Sequence, residues 1–386
     1  MNQPLVDQIT SVFKEKFCKE PVLYFSPGRI NIIGEHVDYN DGFVMPAAID
    51  KGVYYAIALN GTTSQLNFFS VDFDEALSID LEDVRPMDNW KNYVLSVINQ
   101  FAVAGVEMAG FDCVLGGDIP RGSGMSSSAA VEGGMAFALN EMFNDNRYNR
   151  QELALLNQRA EHDYPKVNCG IMDQFANMNG MKDAVLLLDC RSIEHQYFPL
   201  KMDGYSLLLI NTKVSHSLAS SAYNERRKQC ETGLQLMASD SAVRSFRDVA
   251  KAEDLLEYRG RMGEEVYTRC LFVVEEIART QKAAVLLQAN DIQGLGKLMY
   301  QAHEGLSKLY NVSCKELDFL VEQARKNPDV IGSRLMGGGF GGCTINIVAN
   351  EALEVFVEDT LAAYLTEMGN YGEAYIVQTD DGTRKI

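Results

Sequence analysis

The stretch Pro120-Arg121-Gly122-Ser123-Gly124-Met125-Ser126-Ser127-Ser128-Ala129-Ala130 constrains this chain more than any other segment. It follows a short β-rich run, Phe111–Gly116, and leads into an Ala- and Met-rich helical pattern over 127–143. A glycine turn that feeds a helix N-terminus is an anion site. Glycine lets backbone approach the ligand, and the free N–H groups and the helix dipole face negative charge. Serine hydroxyls add donors and can ligate Mg²⁺. No Lys closes the loop, so it is not a Walker A motif. A plain serine-capped helix competes with this reading, and the sequence strand, glycine turn, triple serine, helix argues against it.

A second segment, Pro27 to Asn40, crowds Arg29, Asn31, Glu35, His36 and Asp38 into ten residues, with Ile30, Ile32 and Ile33 to hold it against a core. Such a cluster suits a sugar, whose hydroxyls need donors and acceptors. Arg29 adds a fixed positive charge that would keep a nearby carboxylate ionised. A solvated hairpin with structural ion pairs is the alternative. A third segment, Leu335 to Cys343, spells G-x-G-x-x-G. The dinucleotide fingerprint needs a helix next, whereas Thr344–Val348 reads as a strand. The glycines are expected to close over a ligand or to pack against the first glycine loop; a purely structural turn is the other possibility.

Smaller features lie between. Asp173, in Cys169-Gly170-Ile171-Met172-Asp173-Gln174, opens a helical pattern, where it either caps the helix or faces a substrate hydroxyl. Glu161-His162-Asp163 ends the preceding helix, where metal binding competes with ordinary surface charge. The five histidines show no metal-ligand spacing, which disfavours a zinc hydrolase, and the eight scattered cysteines read as reduced thiols. Lys and Arg number 35 against 53 Asp and Glu, a net charge of −18. That balance repels nucleic acid and anionic membranes unless a basic patch exists, and no run of five cations does. No apolar run approaches the roughly 18 residues of a membrane span. Residues 5–17 form an amphipathic surface helix, not a signal peptide.

Strands are expected at Val22–Ser26, Val53–Leu59, Leu66–Val71, Phe111–Gly116, Tyr205–Asn211, Thr344–Val348 and Ala374–Gln378. Helical spacing appears at 90–104, 127–143, 151–163, 215–238, 263–289, 291–308, 314–327 and 351–367. Character shifts near 195–205, which suggests two closely packed domains, 1–200 and 201–386.

The three motifs, in this order, resemble the GHMP small-molecule kinases. Within them GRINIIGEHVDYN is similar to the galactokinase signature almost residue for residue, and CGIMDQ and SHSLASSAYNERR agree with it. The resemblance implies an α/β (α+β) fold in two domains: an N-terminal ribosomal-protein-like one and a C-terminal helix-covered antiparallel sheet, with the active site in the cleft. It implies transfer of a phosphoryl group from ATP, with Mg²⁺, to the anomeric hydroxyl of galactose, the step that opens galactose metabolism. Carried over by motif, Asp173 is the catalytic carboxylate and Arg29 its partner. Glu35, His36, Asp38, Gly170 and Tyr223 meet the sugar. Gly122, Ser123, Gly124, Ser126, Ser127 and Ser128 cradle the triphosphate, and Trp90 and Tyr93 help form the adenine pocket. Ser128 and Glu161 fit the metal positions. Met125 stands where many members have Leu, a volume-conserving change. A monomeric cytoplasmic enzyme without nucleic-acid or membrane partners is expected. A kinase for N-acetylgalactosamine or another sugar, and a non-catalytic sugar and ATP sensor, are the alternatives; the complete serine loop and the presence of both Asp173 and Arg29 argue against the sensor.

Overall fold

A computed structural model describes residues 1–214, 219–239 and 241–386, so the Ser215–Leu218 start of one family-like segment lies outside the described residues. The first half runs α1 (Gln3–Phe17), β1 (Val22–Asn31), β2 (Phe43–Val44), β3 (Pro46–Leu59), β4 (Gln65–Ser70), β5 (Glu75–Asp80), α2 (Trp90–Val103), β6 (Phe111–Gly117), α3 (Ser127–Phe143), α4 (Arg150–Asp163), α5 (Met172–Asn179), β7 (Ala184–Asp189) and β8 (His195–Pro199). The second runs β9 (Tyr205–Asn211), α6 (Ala219–Ala238), α7 (Arg259–Gln288), α8 (Ile292–Glu304), α9 (Lys315–Lys326), β10 (Val330–Leu335), β11 (Cys343–Ala349), α10 (Leu353–Met368), β12 (Glu373–Val377) and β13 (Arg384–Lys385).

Among the described residues the strands form three sheets, of order β13-β1-β3-β6-β4-β5, β10-β11-β9-β12 and β2-β7-β8. The second sheet is antiparallel throughout. In the first, β4 pairs parallel with β6 and every other pair is antiparallel. Helices α2, α3 and α4 pack on one another, and α3 also packs on β1 and β3. The apolar core beneath them runs on without a break into the second half, from Tyr55 and Leu139 through Phe272 and Tyr310. The expected boundary near 200 falls in the connection between β8 and β9. The end of the chain does not stay in the second half: β13 pairs with β1.

β1 and β3 are longer than their sequence pattern suggests, β3 starting at Pro46 rather than at Val53. β1 continues past Ser26 through Pro27 and Gly28, because the ladder with β3 shifts register between Pro27 and Arg29. A bulge tolerates a proline, which has no N–H to give. The bulge also brings the two motifs together. Arg29 N donates to the Met125 carbonyl at 3.1 Å, and a Cβ on Gly28 would collide with that carbonyl and with Ile119. Only glycine lets β1 lie this close to the serine loop.

Candidate active site

Asp173 sits in the first turn of α5, and its carboxylate does not cap that helix. Arg29 grips it with two prongs, Nε to Oδ1 at 2.8 Å and Nη2 to Oδ2 at 3.0 Å, while Nη1 donates to the Gly124 carbonyl at 2.5 Å. Burial opposes the charge on Arg29, and Asp173 above all, with Glu35 and Asp38, restores it. Ser126 precedes α3 in a left-handed conformation and makes no cap hydrogen bond; its hydroxyl donates to Asp173 Oδ2. The serine loop and the Asp173 helix therefore meet at one carboxylate.

On one side of that carboxylate lies a small cavity of about 140 Å³, lined by Arg29, Glu35, His36, Asp38, Glu161, Gly170, Asp173 and Tyr223 with Gly337 and Gly338 of the third motif. Glu35 Oε1 is held by both Nη atoms of Arg334 at 3.1 Å and by Gly337 N at 2.8 Å. Gly34 N, just before it, donates to Glu276 of α7 at 2.9 Å. His36 has a positive φ of 61°, and burial lowers its pKa to about 4, so it is neutral at physiological pH. Asp38 is pushed up to about 7 by burial and then by Asp173, against the N–H groups of Tyr39 and Met172. Its carboxylate packs on the Gly170 backbone so closely that any Cβ there would strike it. The Tyr223 ring lies 5.2 Å from that of His36.

On the other side a cleft of about 600 Å³ is lined by Phe73, Asn89, Trp90, Tyr93, Ile119, Ser127, Ser128 and Val131 among others. Trp90 stacks with Phe73 at 6.5 Å and donates from Nε1 to Glu75 at 2.9 Å. An apolar, aromatic wall beside a serine-lined helix start suits a nucleotide, base on one end and phosphates on the other. Gly122 and Gly124 make the intervening turn with φ of 70° and 73°. The third motif backs this loop: Gly337 approaches Gly124, and Gly342 approaches Gly122 and Ser123. Packing against the first glycine loop was one of its two expected roles.

Family models match in three places: the galactokinase galactose-binding signature at residues 11–59, the GHMP kinase N-terminal domain at 92–181 and the GHMP kinase C-terminal domain at 283–366. A galactokinase of Clostridium acetobutylicum is 39% identical over 99% of this chain and 98% of its own length. The chain belongs to the galactokinase family. A galactokinase of Thermotoga petrophila is 36% identical over 94% of this chain and 99% of its own. The crystal structure of Lactococcus lactis galactokinase complexed with galactose superposes with a TM-score of 0.94 at 33% identity, covering 99% of this chain and all of that one. A Methanococcus jannaschii mevalonate kinase, 17% identical over 94% of this chain and 99% of its own, shares the fold with a TM-score of 0.68. The two-domain GHMP kinase fold read from the motifs is thus the fold of the chain.

The galactokinase signature region carries Arg29, Glu35, His36 and Asp38, and the N-terminal kinase region carries the serine loop, Glu161 and Asp173. Every residue expected at the sugar lines the small cavity, and Trp90, Tyr93, Ser127 and Ser128 share the large cleft. Three residues of the site escaped the sequence reading. Arg334 is wholly buried at the end of β10, where it also donates to the carbonyls of Ile32 at 2.7 Å and Leu335 at 2.6 Å. Its signal is an arginine in the otherwise apolar and small run VIGSRL directly before the glycines. Phe73 sits in a turn outside any periodic pattern, and only its stacking with Trp90 marks it. Gln174 directly follows Asp173, and its amide donates to Glu161 Oε2 at 2.5 Å.

Proposed function

We infer that the chain is an ATP-dependent sugar kinase that phosphorylates galactose on its anomeric hydroxyl. The observation that carries this reading is the Arg29–Asp173–Ser126 junction, set between a polar cavity of sugar size and an aromatic cleft ending at the serine loop. Phosphoryl transfer through a loose transition state needs positioning and charge compensation above all. Asp173 is placed to accept or orient the proton of the C1 hydroxyl. Arg29 grips that carboxylate with two prongs and adds positive charge beside the transferring group. Glu35, His36, Asp38, Gly170 and Tyr223 select the sugar by its hydroxyls.

The triphosphate would lie on residues 122–128, with the base near Trp90 and Tyr93. Ser128 and Glu161 would hold Mg²⁺. Burial first, and then Asp173, pushes the Glu161 carboxyl up to about 7, with donors from Ser128, Cys169 and Gln174 opposing the rise. A hydroxyl and a strained carboxyl are hard oxygen donors that a divalent cation would relieve. Among the described residues no three His, Cys, Asp or Glu side chains converge on a metal-sized point, which suits an ion completed by phosphate oxygens and water. When bound, the ion would neutralise phosphate charge. No helix among the described residues is long and apolar enough to cross a membrane. The galactokinase reading carries with it a monomeric cytoplasmic enzyme that divides near residue 200.

ADP release measured across galactose, glucose and N-acetylgalactosamine tests the assignment. Glucose, the C4 epimer, leaves at least one buried partner unsatisfied, at about 1–3 kcal/mol. Galactose should therefore lead glucose by at least about tenfold in kcat/KM. Equal turnover of the two sugars, or a preference for N-acetylgalactosamine, would overturn the galactose assignment.

A further inference from the structure

His36 makes two hydrogen bonds inside the protein, and their chemistry fixes the direction of a longer chain. Its Nε2 lies 3.2 Å from the Gly338 carbonyl, a group that can only accept. Nε2 therefore carries a proton. Its Nδ1 lies 2.7 Å from the Tyr39 hydroxyl, which lies 2.9 Å from the Tyr310 hydroxyl, itself 3.2 Å from Cys230 Sγ. The neutral ring leaves Nδ1 as an acceptor. Tyr39 must then donate to it, and Tyr39 oxygen accepts from Tyr310, whose oxygen accepts from the Cys230 thiol. Each hydrogen has one destination.

Tyr310 is held firmly in place for this. It ends the wide turn Gly305–Tyr310 that follows α8, a π-helical segment of the kind that recurs at functional sites. Its backbone carbonyl accepts from Arg226 Nε at 2.9 Å, and the preceding carbonyl, of Leu309, accepts from Arg269. Its ring is fully buried against Phe272 at 4.7 Å and against His36 at 5.0 Å. Its hydroxyl reaches only Tyr39 and Cys230 among the described residues.

We propose that Tyr310, acting through Tyr39, is a positioning residue for sugar recognition: the Gly338 carbonyl takes the Nε2 hydrogen, and the two hydroxyls in series donate toward Nδ1, so the His36 ring is held from both nitrogens in one orientation beside the sugar cavity. The Nε2 hydrogen is already given to the Gly338 carbonyl, so what this arrangement fixes for the sugar is the orientation of the ring in the cavity wall. The proposal rests on the galactokinase reading for its substrate and on the hydrogen-bond chain for its residues.

Two measurements on ¹⁵N-histidine-labelled protein and on Tyr310→Phe, Tyr39→Phe and the double variant test it. Proton–nitrogen correlation of the His36 ring should show the Nε2–H pattern in the wild type, with an Nδ1 resonance that shifts in Tyr39→Phe, where Nδ1 loses its donor. Both single variants should raise the galactose KM about threefold to tenfold, the scale of one net hydrogen bond, with kcat and the ATP KM within about twofold. The double variant should be no worse than Tyr39→Phe, since the two hydroxyls act in series. A wild-type Nδ1–H pattern, an unchanged galactose KM in both single variants, or effects that multiply in the double variant would each overturn the proposal. Should Tyr310→Phe fail to fold, Tyr39→Phe with the ring pattern decides alone. A wild type inactive on galactose would instead overturn the functional reading, and the ring pattern would still decide the tautomer.

Discussion

Asp173 and Arg29 form a unit whose parts cannot be swapped for near relatives. If Asp173 only supported its helix, Asp173→Asn would be almost silent, but its oxygens face Arg29 and Ser126. We expect Asp173→Asn to lower kcat by about 10²-fold or more, the usual scale of a general base, while calorimetric galactose binding survives better than turnover. Arg29→Lys should also be impaired, because one ammonium cannot make two prongs on Asp173 and a third contact on Gly124. Near-normal ADP release from either variant would separate the pair from the chemistry. Asp38 gives a pH signature. Its pKa rises from 3.8 to about 7 on folding, so the folded state binds the extra proton between those values. That contribution is present at low pH and is lost as pH rises through about 7. Thermal melting of the sugar-free protein from pH 5 to pH 8 should therefore fall more steeply than that of Asp38→Asn; parallel curves would place the Asp38 proton elsewhere. Glu161 titrates in the same window, which is why the comparison with the single variant matters.

Among the elements, the glycine loop between β10 and β11 links the sugar pocket to the serine loop. Gly339 has a φ of 77°, and a Cβ on it would strike the Val312 carbonyl. Its neighbours Gly337 and Gly338 hold Glu35 and His36. Gly339→Ala should cost about 1–3 kcal/mol in urea unfolding and raise the galactose KM more than the ATP KM; an unaltered galactose KM at reduced stability would confine the loop to a structural role. Much of this scale was legible beforehand. The serine loop, the polar segment and the helix that opens at Met172 all stand where their motifs put them, because each is set by local turn and helix chemistry. β5, half of whose residues are polar and only one of which is buried, carries no strand signal; its pairing with β4 makes it one. Helix α7 begins at Arg259, four residues before its periodic pattern, with a kink at Gly263. Arg334 was hidden for a different reason: its partners, Glu35 and the Ile32 carbonyl, lie about 300 positions away, and no local pattern reports such a pairing.

At the scale of the whole molecule, the second half closes the first. Thr383 is buried and its hydroxyl meets Ser26 at 3.1 Å and Asn177 Oδ1 at 2.8 Å. Asn177 in turn donates to Ser26 and to the Pro27 carbonyl, two residues from Arg29. Ile386 N donates to the Leu23 carbonyl at 3.0 Å. Removing residues 379–386 should lower the melting temperature by several degrees, roughly 2–4 °C for each 1 kcal/mol lost, and reduce kcat as the Arg29 strand loosens. A truncated protein with wild-type melting and turnover would make the tail dispensable.

The pairing of β13 with β1 also sets an order of events during synthesis. Ser26 and Thr383 are 357 positions apart, so a ribosome finishes the whole second half before the first sheet can receive its outer strand. Until then a nascent chain presents β1 with an open edge, a template for pairing with other chains. Closing so long a loop is slow compared with local helix formation. The strand Arg384–Lys385 is therefore among the last segments of the fold to dock, after the sheet it completes.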